Sequence, residues 1–320
     1  MMILMRMRII NVIKMAAFSI IAAAALIVLC GGAAEAAKMT QKTFASPEEA
    51  FGMLIASVES KDAKQLNALF GRGSEEIFPA DGEDDAGSRE GFLEAYRVKH
   101  RLEKTGTNKV ILHVGEKDWP WPVPLTKAGS RWRFDTRAGI KEIVARRIGK
   151  NEVAAVQVCL AYVDAQLEYA SQHGAAGIGE YAQRLASEPG KKNGLCCPAQ
   201  SGEKPSLLGP LVASACEEEM TSLRLPGKEP APYHGYYYKI LKSQGKDAPG
   251  GAYDYIVDKK MIGGFALVAY PAVYGVTGIT TFIVNKDDMV YQKDLGRNSK
   301  KIARAMTSYN PDATWKKVDE

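Results

Sequence analysis

HGYYYKILKSQGKDAPGGAYDYIVDKKMIGGFALVAYPAVYGVTGITTFIVNKDDMVYQKDLG, residues 234–296, is the stretch whose reading decides the fold. Apolar, tyrosine-rich runs are divided by Gly, Pro and Asp turns. The pattern predicts strands over Tyr236–Leu241, Tyr253–Val257, Gly264–Ala269 and Thr280–Val284, with Val290–Lys293 extending the set. Short, turn-like connections between such runs favour an antiparallel meander. Side chains alternate across a strand, so Tyr236 and Tyr238 share one face and Tyr237 takes the other. One of those faces must pack on a partner layer.

The partner is upstream. Glu152–Gln172 carries an apolar stripe at helical spacing: Ala155, Val156, Cys159, Val163, Leu167 and Ala170. Glu152, Gln157, Asp164, Glu168 and Gln172 fall largely away from it. Cys159 lies on the stripe, which reads as a buried, reduced thiol rather than a nucleophile. Between this helix and the meander lies the irregular stretch Gly174–Pro232, with short helical pieces expected at Glu180–Ala186 and Gly209–Glu219. A loop of that length needs staples or a function. Cys196, Cys197 and Cys216 are the candidate staples. One of the adjacent pair bonded to Cys216 would close a loop of about twenty residues, contributing roughly 3 kcal/mol in the chain-entropy account. Past the meander, Ile302–Met306 reads as a short closing helix, and the tail through Asp312, Trp315 and Glu320 reads as frayed.

The first half has its own pattern. Ser46-Pro47-Glu48-Glu49 is a helix start, with Ser46 as N-cap, Pro47 in the first turn and Glu49 completing a capping box. Ala50, Phe51, Leu54, Ile55 and Val58 follow on one face. A second helix is expected over Ala63–Phe70 and a third over Ser88–Leu102, with the acidic run Asp81–Gly87 as a solvated loop. Strands are expected at Lys109–Val114 and Arg131–Phe134. The three prolines of Asp118–Leu125 confine that segment to a sheet edge or a polyproline conformation. A helix begins near Asp135, and Gly149-Lys150-Asn151 interrupts it, with Asn151 placed to cap the next one. The fold class is α+β in two domains, residues 44–148 and 149–310.

Residues 1–36 stand apart. Arg6, Arg8 and Lys14 precede an apolar run over Met15–Leu29, and Ala34-Glu35-Ala36 fits a small-residue cleavage site. This is the pattern of a secretory signal peptide cleaved after Ala36. It places the mature chain in the periplasm or outside the cell, with no transmembrane segment remaining. Lipidation through Cys30 is a minor alternative, because Leu29 precedes it where a small residue is needed. The net charge of +5 includes three bases and one acid of this leader. The remainder is close to neutral, and no basic run interleaved with aromatics appears, so nucleic acid is not an expected partner.

Catalytic signatures are missing from the sequence: there is no Gly-x-Ser-x-Gly, phosphate loop, dinucleotide fingerprint or His-Glu-x-x-His. There is no Cys-x-x-Cys, and His100, His113, His173 and His234 are scattered, so neither a metal site nor a cofactor is expected. Two groups of aromatics remain as binding candidates. Trp119 and Trp121 read as stacking platforms for a sugar or peptide, or as lids on the first domain's core, the reading their usual burial favours. Tyr236, Tyr238, Tyr253, Tyr255 and Tyr270 could form a binding face on the sheet. The competing catalytic reading is a hydrolase or lyase that uses His100 or His113 with Asp118 as acid–base groups in a pocket of the first domain.

Three resemblances bear on these expectations. Helices followed by a curved sheet closing on Arg131-Trp132-Arg133-Phe134 resemble the cone-shaped domains of the nuclear-transport-factor-2-like superfamily. Asn151-Glu152-Val153-Ala154-Ala155, Gly235-Tyr236-Tyr237-Tyr238 and Ala269–Val284 resemble the heads of type IV pilin-like proteins. That likeness implies a helix packed across an antiparallel sheet. The blocks Lys99-His100-Arg101-Leu102, Trp132-Arg133-Phe134-Asp135-Thr136, Gly250–Tyr255 and Met261–Pro271 resemble a bacterial exported family known as domain of unknown function 2950. This last resemblance spans nearly the whole mature chain and implies an envelope location without an activity. The missing catalytic signatures alongside an aromatic-rich sheet favour a non-catalytic envelope module that binds or scaffolds a protein or polysaccharide partner through its sheet or cone.

Overall fold

The computed structural model describes residues 41–78, 83–175, 178–188, 191, 193–196 and 231–318. The expected signal peptide, Cys30, Cys197, Cys216 and the helical piece at 209–219 lie outside these residues. The architecture is α+β. The chain divides into two compact units, Met1–Ile140 and Lys141–Glu320.

The first unit opens with helices α1 (Pro47–Glu59), α2 (Ala63–Phe70), α3 (Ser74–Ile77) and α4 (Glu83–Val98). Ser46 Oγ accepts from Glu49 N at 3.1 Å, and Glu49 Oε2 accepts from Ala45 N at 2.8 Å, so the expected box caps α1 from both sides. Asp62 Oδ1 caps α2 through Lys64 N and Gln65 N. Two expectations are corrected here. Residues 83–87 belong to α4 rather than to a loop; an acidic run suits the first turn of a helix, where negative charge is favoured. Leu102 lies on a strand, because α4 ends at Val98.

The sheet of this unit consists of β1 (His100–Thr105), β2 (Lys109–Val114), β3 (Trp119–Pro120), β4 (Leu125–Ala128) and β5 (Arg131–Phe134). The order is β1-β2-β4-β5, with the two residues of β3 also on β2. The proline-rich segment therefore touches the sheet at an edge and then leaves it, as its missing donors require. Val110, Leu112 and Val114 alternate inward along β2. Phe134 lies at the centre of the core, with ring centroids 5.0 Å from Phe70, 5.5 Å from Phe51 and 6.3 Å from Phe44.

Helix α5 runs unbroken over Thr136–Gln172. Asp135 Oδ1 accepts from Ala138 N at its start. The expected interruption at Gly149-Lys150-Asn151 does not occur. A glycine inside a helix costs only about 1 kcal/mol. Asn151 does not cap, because its side-chain amide donates to Thr277 O at 2.9 Å.

In the second unit, α5 is followed by the small hairpin β6 (Gly174–Ala175) and β7 (Ile178–Gly179). Residues 180–186 are held by isolated bridges, Tyr181 to Met261 and Ala186 to Cys196, instead of forming the expected helical turn. Cys196 is disulfide-bonded, and its partner lies outside the described residues. The main strands are β8 (Tyr236–Leu241), β13 (Ala266–Pro271), β14 (Thr280–Asn285), β15 (Tyr291–Asp294) and β17 (Lys316–Lys317), in the antiparallel order β17-β15-β14-β13-β8.

The expected strand Tyr253–Val257 is not in that sheet. It splits into β10 (Tyr253–Asp254), which pairs with β9 (Ser243–Gln244), and β11 (Ile256–Val257), which pairs with β12 (Lys260–Met261). β16 (Ser308–Tyr309) joins β9 in parallel. A 3-10 turn, Gly296–Asn298, leads into α6 (Ser299–Ala305). Through Val318 the tail is not frayed: Trp315 is buried in the core and β17 extends the sheet.

Every residue of β13 is buried, so both sheet faces are covered at the centre. One face shares a core with Ala155, Cys159, Tyr162 and Val163 of α5. The other meets α6 and β16. The α5 stripe is rotated from the expected one. Leu167 is 50% exposed, while Tyr162 and Gln166 turn inward. Gln166 Nε2 donates to Ala182 O and Oε1 accepts from Ala182 N, both at 2.8 Å, so a polar side chain in the core is satisfied. Cys159 is a free buried thiol, as the stripe implied, and burial pushes its pKa up to about 12.

Candidate functional site

The register of β1 on β2 sets Arg101 opposite His113, and the turn after β2 returns Asp118 to the same place. Asp118 has φ +53, a left-handed conformation that Asp tolerates better than most residues. Arg101 Nε donates to Asp118 Oδ1 at 2.8 Å, and its Nη2 donates to Asp118 Oδ2. Arg101 Nη1 donates to Glu103 Oε2 at 2.9 Å. His113 Nδ1 lies 2.9 Å from Asp118 O and 3.3 Å from Arg101 Nη2. His113 Nε2 faces Glu103 Oε2 at 3.3 Å without the alignment of a hydrogen bond.

The fold thus brings His113 and Asp118 together, as the catalytic reading required, and adds Arg101 and Glu103. The added residues weaken that reading. The Arg101 hydrogen bonds hold the Asp118 carboxyl below its ordinary range, and Arg101 is raised in turn. A carboxylate engaged by a guanidinium is a poor proton acceptor. The Arg101, Glu103 and Asp118 side chains are all solvent-facing, so the cluster pins the β2–β3 turn on the sheet surface. His100 stands apart, stacked on Tyr96 at 3.9 Å with its Nδ1 on Tyr96 O.

The aromatic candidates separate by burial. Trp121 is buried against Phe92 and Phe78, at 4.4 and 5.7 Å. Trp119 is 44% exposed beside it. Tyr236 and Tyr255 are core residues out of a ligand's reach: the Tyr236 hydroxyl donates to Thr280 O and the Tyr255 hydroxyl to Gln244 Oε1. Tyr238 is largely enclosed on the α5 side, where burial raises its pKa along with that of Tyr236. Tyr270 is buried against Tyr237 on the opposite face. Tyr253 is exposed at the rim of the small sheet.

A surface that the sequence reading passed over lies on α6. From Leu295 to Pro311 the chain carries Arg297, Lys300, Lys301 and Arg304 and no acid. The small residues Ser299 and Ala303, one turn apart, are buried and let the helix approach β13 closely. Lys239 Nζ donates to Arg304 O and Met306 O, both at 2.6 Å, closing the helix C-terminus. With that face buried, Arg297, Asn298, Lys300, Lys301, Arg304 and Ala305 line a shallow hollow of about 580 Å³. Lys300 Nζ sits 4.9 Å over the Tyr237 ring, which orients the side chain while leaving its charge in place. An acid-free stretch with four cations within eight residues was the sequence signal for this surface.

Residues 41–318 match the family described as Protein of unknown function (DUF2950). The chain belongs to that family, which the sequence blocks had already suggested. No curated protein and no solved structure matches it. Among the described residues, no helix is long and apolar enough to cross a membrane, and no group of three or more His, Cys, Asp or Glu is gathered as metal ligands.

Proposed function

We propose that this chain is an exported, non-catalytic module of the cell envelope that binds an anionic envelope component through the α6 surface. The observation that carries the reading is the hollow whose described lining residues include Arg297, Lys300, Lys301 and Arg304. Three like charges on a short helix, with a fourth on the 3-10 turn before it, attract anions at long range and bind more weakly as salt rises. The signal-like leader and the oxidised state of Cys196 support an exported location, since such bonds persist in oxidising compartments. A helix packed across an antiparallel sheet, with a disulfide-bonded Cys196 in the segment between them, supports the likeness to pilin-like heads. The helices and antiparallel sheet of the first unit support a cone-like fold for that unit.

The test is retention of the purified mature protein on isolated envelopes. Retention that falls with added salt, and falls again in a Lys300→Glu/Lys301→Glu/Arg304→Glu variant of unchanged circular dichroism, supports the reading. Retention indifferent to these charges overturns it.

A further inference from the structure

The loop between β13 and β14, residues 272–279, is folded tightly and yet apolar outside. Val276 N and Thr277 N both donate to Val273 O, and Thr277 Oγ1 accepts from Val273 N, so the loop closes on itself. Its base is held from α5: Asn151 donates to Thr277 O, and Glu152 Oε1 accepts from Ile279 N and Thr280 N at 2.9 and 3.0 Å. A rigid loop could bury its apolar side chains, but Val273 is 52% exposed, and Val276 and Ile279 are also open to solvent. Three large apolar residues exposed on a seven-residue segment are not scattered surface hydrophobics.

This loop is tied to the start of the basic surface. The Tyr274 hydroxyl donates to Asp294 Oδ2 at 3.1 Å, and Asp294 Oδ1 accepts from Gly296 N at 2.7 Å. Arg297 is close enough for its charge to act on the Tyr274 hydroxyl. An apolar, backbone-braced tip therefore adjoins Arg297, from which the basic surface continues along α6 through Lys300, Lys301 and Arg304. Apolar side chains beside a cluster of cations match the two layers of an anionic bilayer, acyl boundary and charged headgroups. A soluble acidic polymer would use the cations and leave the valines in water.

We infer that the loop 272–279 and α6 together dock this protein on an anionic phospholipid surface, with Val273 and Val276 entering the headgroup boundary and the α6 cations meeting the phosphates. This rests on the α6 reading above and narrows it to a lipid partner.

The experiment is co-sedimentation of the mature protein with vesicles of phosphatidylglycerol and phosphatidylcholine, against vesicles of phosphatidylcholine alone. Binding is expected only to the anionic vesicles. It should fall about fivefold for each cation removed in Lys300→Gln and Lys301→Gln. Val273→Asn/Val276→Asn leaves the charge unchanged and should lower binding by about tenfold. The Lys301 and valine variants change exposed side chains and Lys300 is half-buried, so circular dichroism checks that all three fold. Equal binding to both vesicle types, or anionic binding unchanged by the valine variant, overturns the proposal. So does vesicle binding abolished by millimolar inorganic phosphate at constant ionic strength, which would show a soluble-anion site. Salt-sensitive retention on a soluble polyanion without vesicle binding would sink the lipid inference and leave the α6 reading standing. Loss of both would end both.

Discussion

The carboxamide of Gln166 and the backbone of Ala182 are hydrogen-bonded in both directions, at 2.8 Å each way. A side chain from α5 thereby replaces a neighbouring strand for a buried piece of irregular chain. Gln166 Nε2 also donates to the Tyr162 hydroxyl at 2.9 Å, and that hydroxyl donates to Ala266 O at 3.2 Å. The path joins helix, loop and sheet through groups without access to water.

Gln166→Leu keeps the volume and leaves the Ala182 N–H and C=O buried without partners. Each orphaned group costs about 1–3 kcal/mol. The variant is expected to lose roughly 2–4 kcal/mol of unfolding free energy, read as a lower urea midpoint at unchanged slope. A midpoint within error of the wild type would show that water replaces the amide.

Trp315 tests whether the C-terminal segment belongs to the core. Its ring is buried among residues of the sheet core, and Lys293 Nζ lies 5.7 Å over it. Trp315→Ala should cost about 3 kcal/mol, as for a core aromatic. A frayed tail would cost almost nothing, so thermal denaturation separates the two outcomes.

The ion cluster on the first sheet predicts a pH dependence. The folded Asp118 carboxyl lies below its ordinary value of 3.8 because Arg101 hydrogen-bonds it. Its contribution is therefore present above that value and is lost as pH falls through the lower, folded one. Asp118→Asn suits the left-handed turn and removes the charge with one of the two oxygens that accept from Arg101. It should lower Tm slightly at neutral pH, as exposed ion pairs do, and the gap should close on acidification below 3.8. A gap that persists in acid would point to the turn geometry instead of the charge.

The tyrosine-rich sheet shows how far sequence reading reached. Alternation correctly separated Tyr236 and Tyr238 from Tyr237, because a strand's two-residue period is local. It did not reveal that α6 and β16 cover the second face. Phe265-Ala266-Leu267-Val268-Ala269-Tyr270 is a continuous apolar run, the mark of a strand buried on both sides, but nothing local names the second cover. Tyr253–Val257 alternates well enough for a strand, yet it pairs with short neighbours outside the main sheet. Pairing is decided by what else competes for the edge.

Sequence by itself determined the α+β class, the capped start of α1, the long amphipathic helix, the buried Cys159 and the family blocks. All of these rest on residue type and short-range periodicity, which a chain carries with it. Tertiary structure alone decided that α5 passes through Gly149 without a break and that Gln166 belongs to the core. It also decided that Asp118 is engaged by Arg101 and that Arg297 stands beside an apolar loop. Those facts depend on which distant segments meet. Asn151 illustrates the difference: it is a good helix cap by residue type, but Thr277, 126 positions away, takes its amide instead.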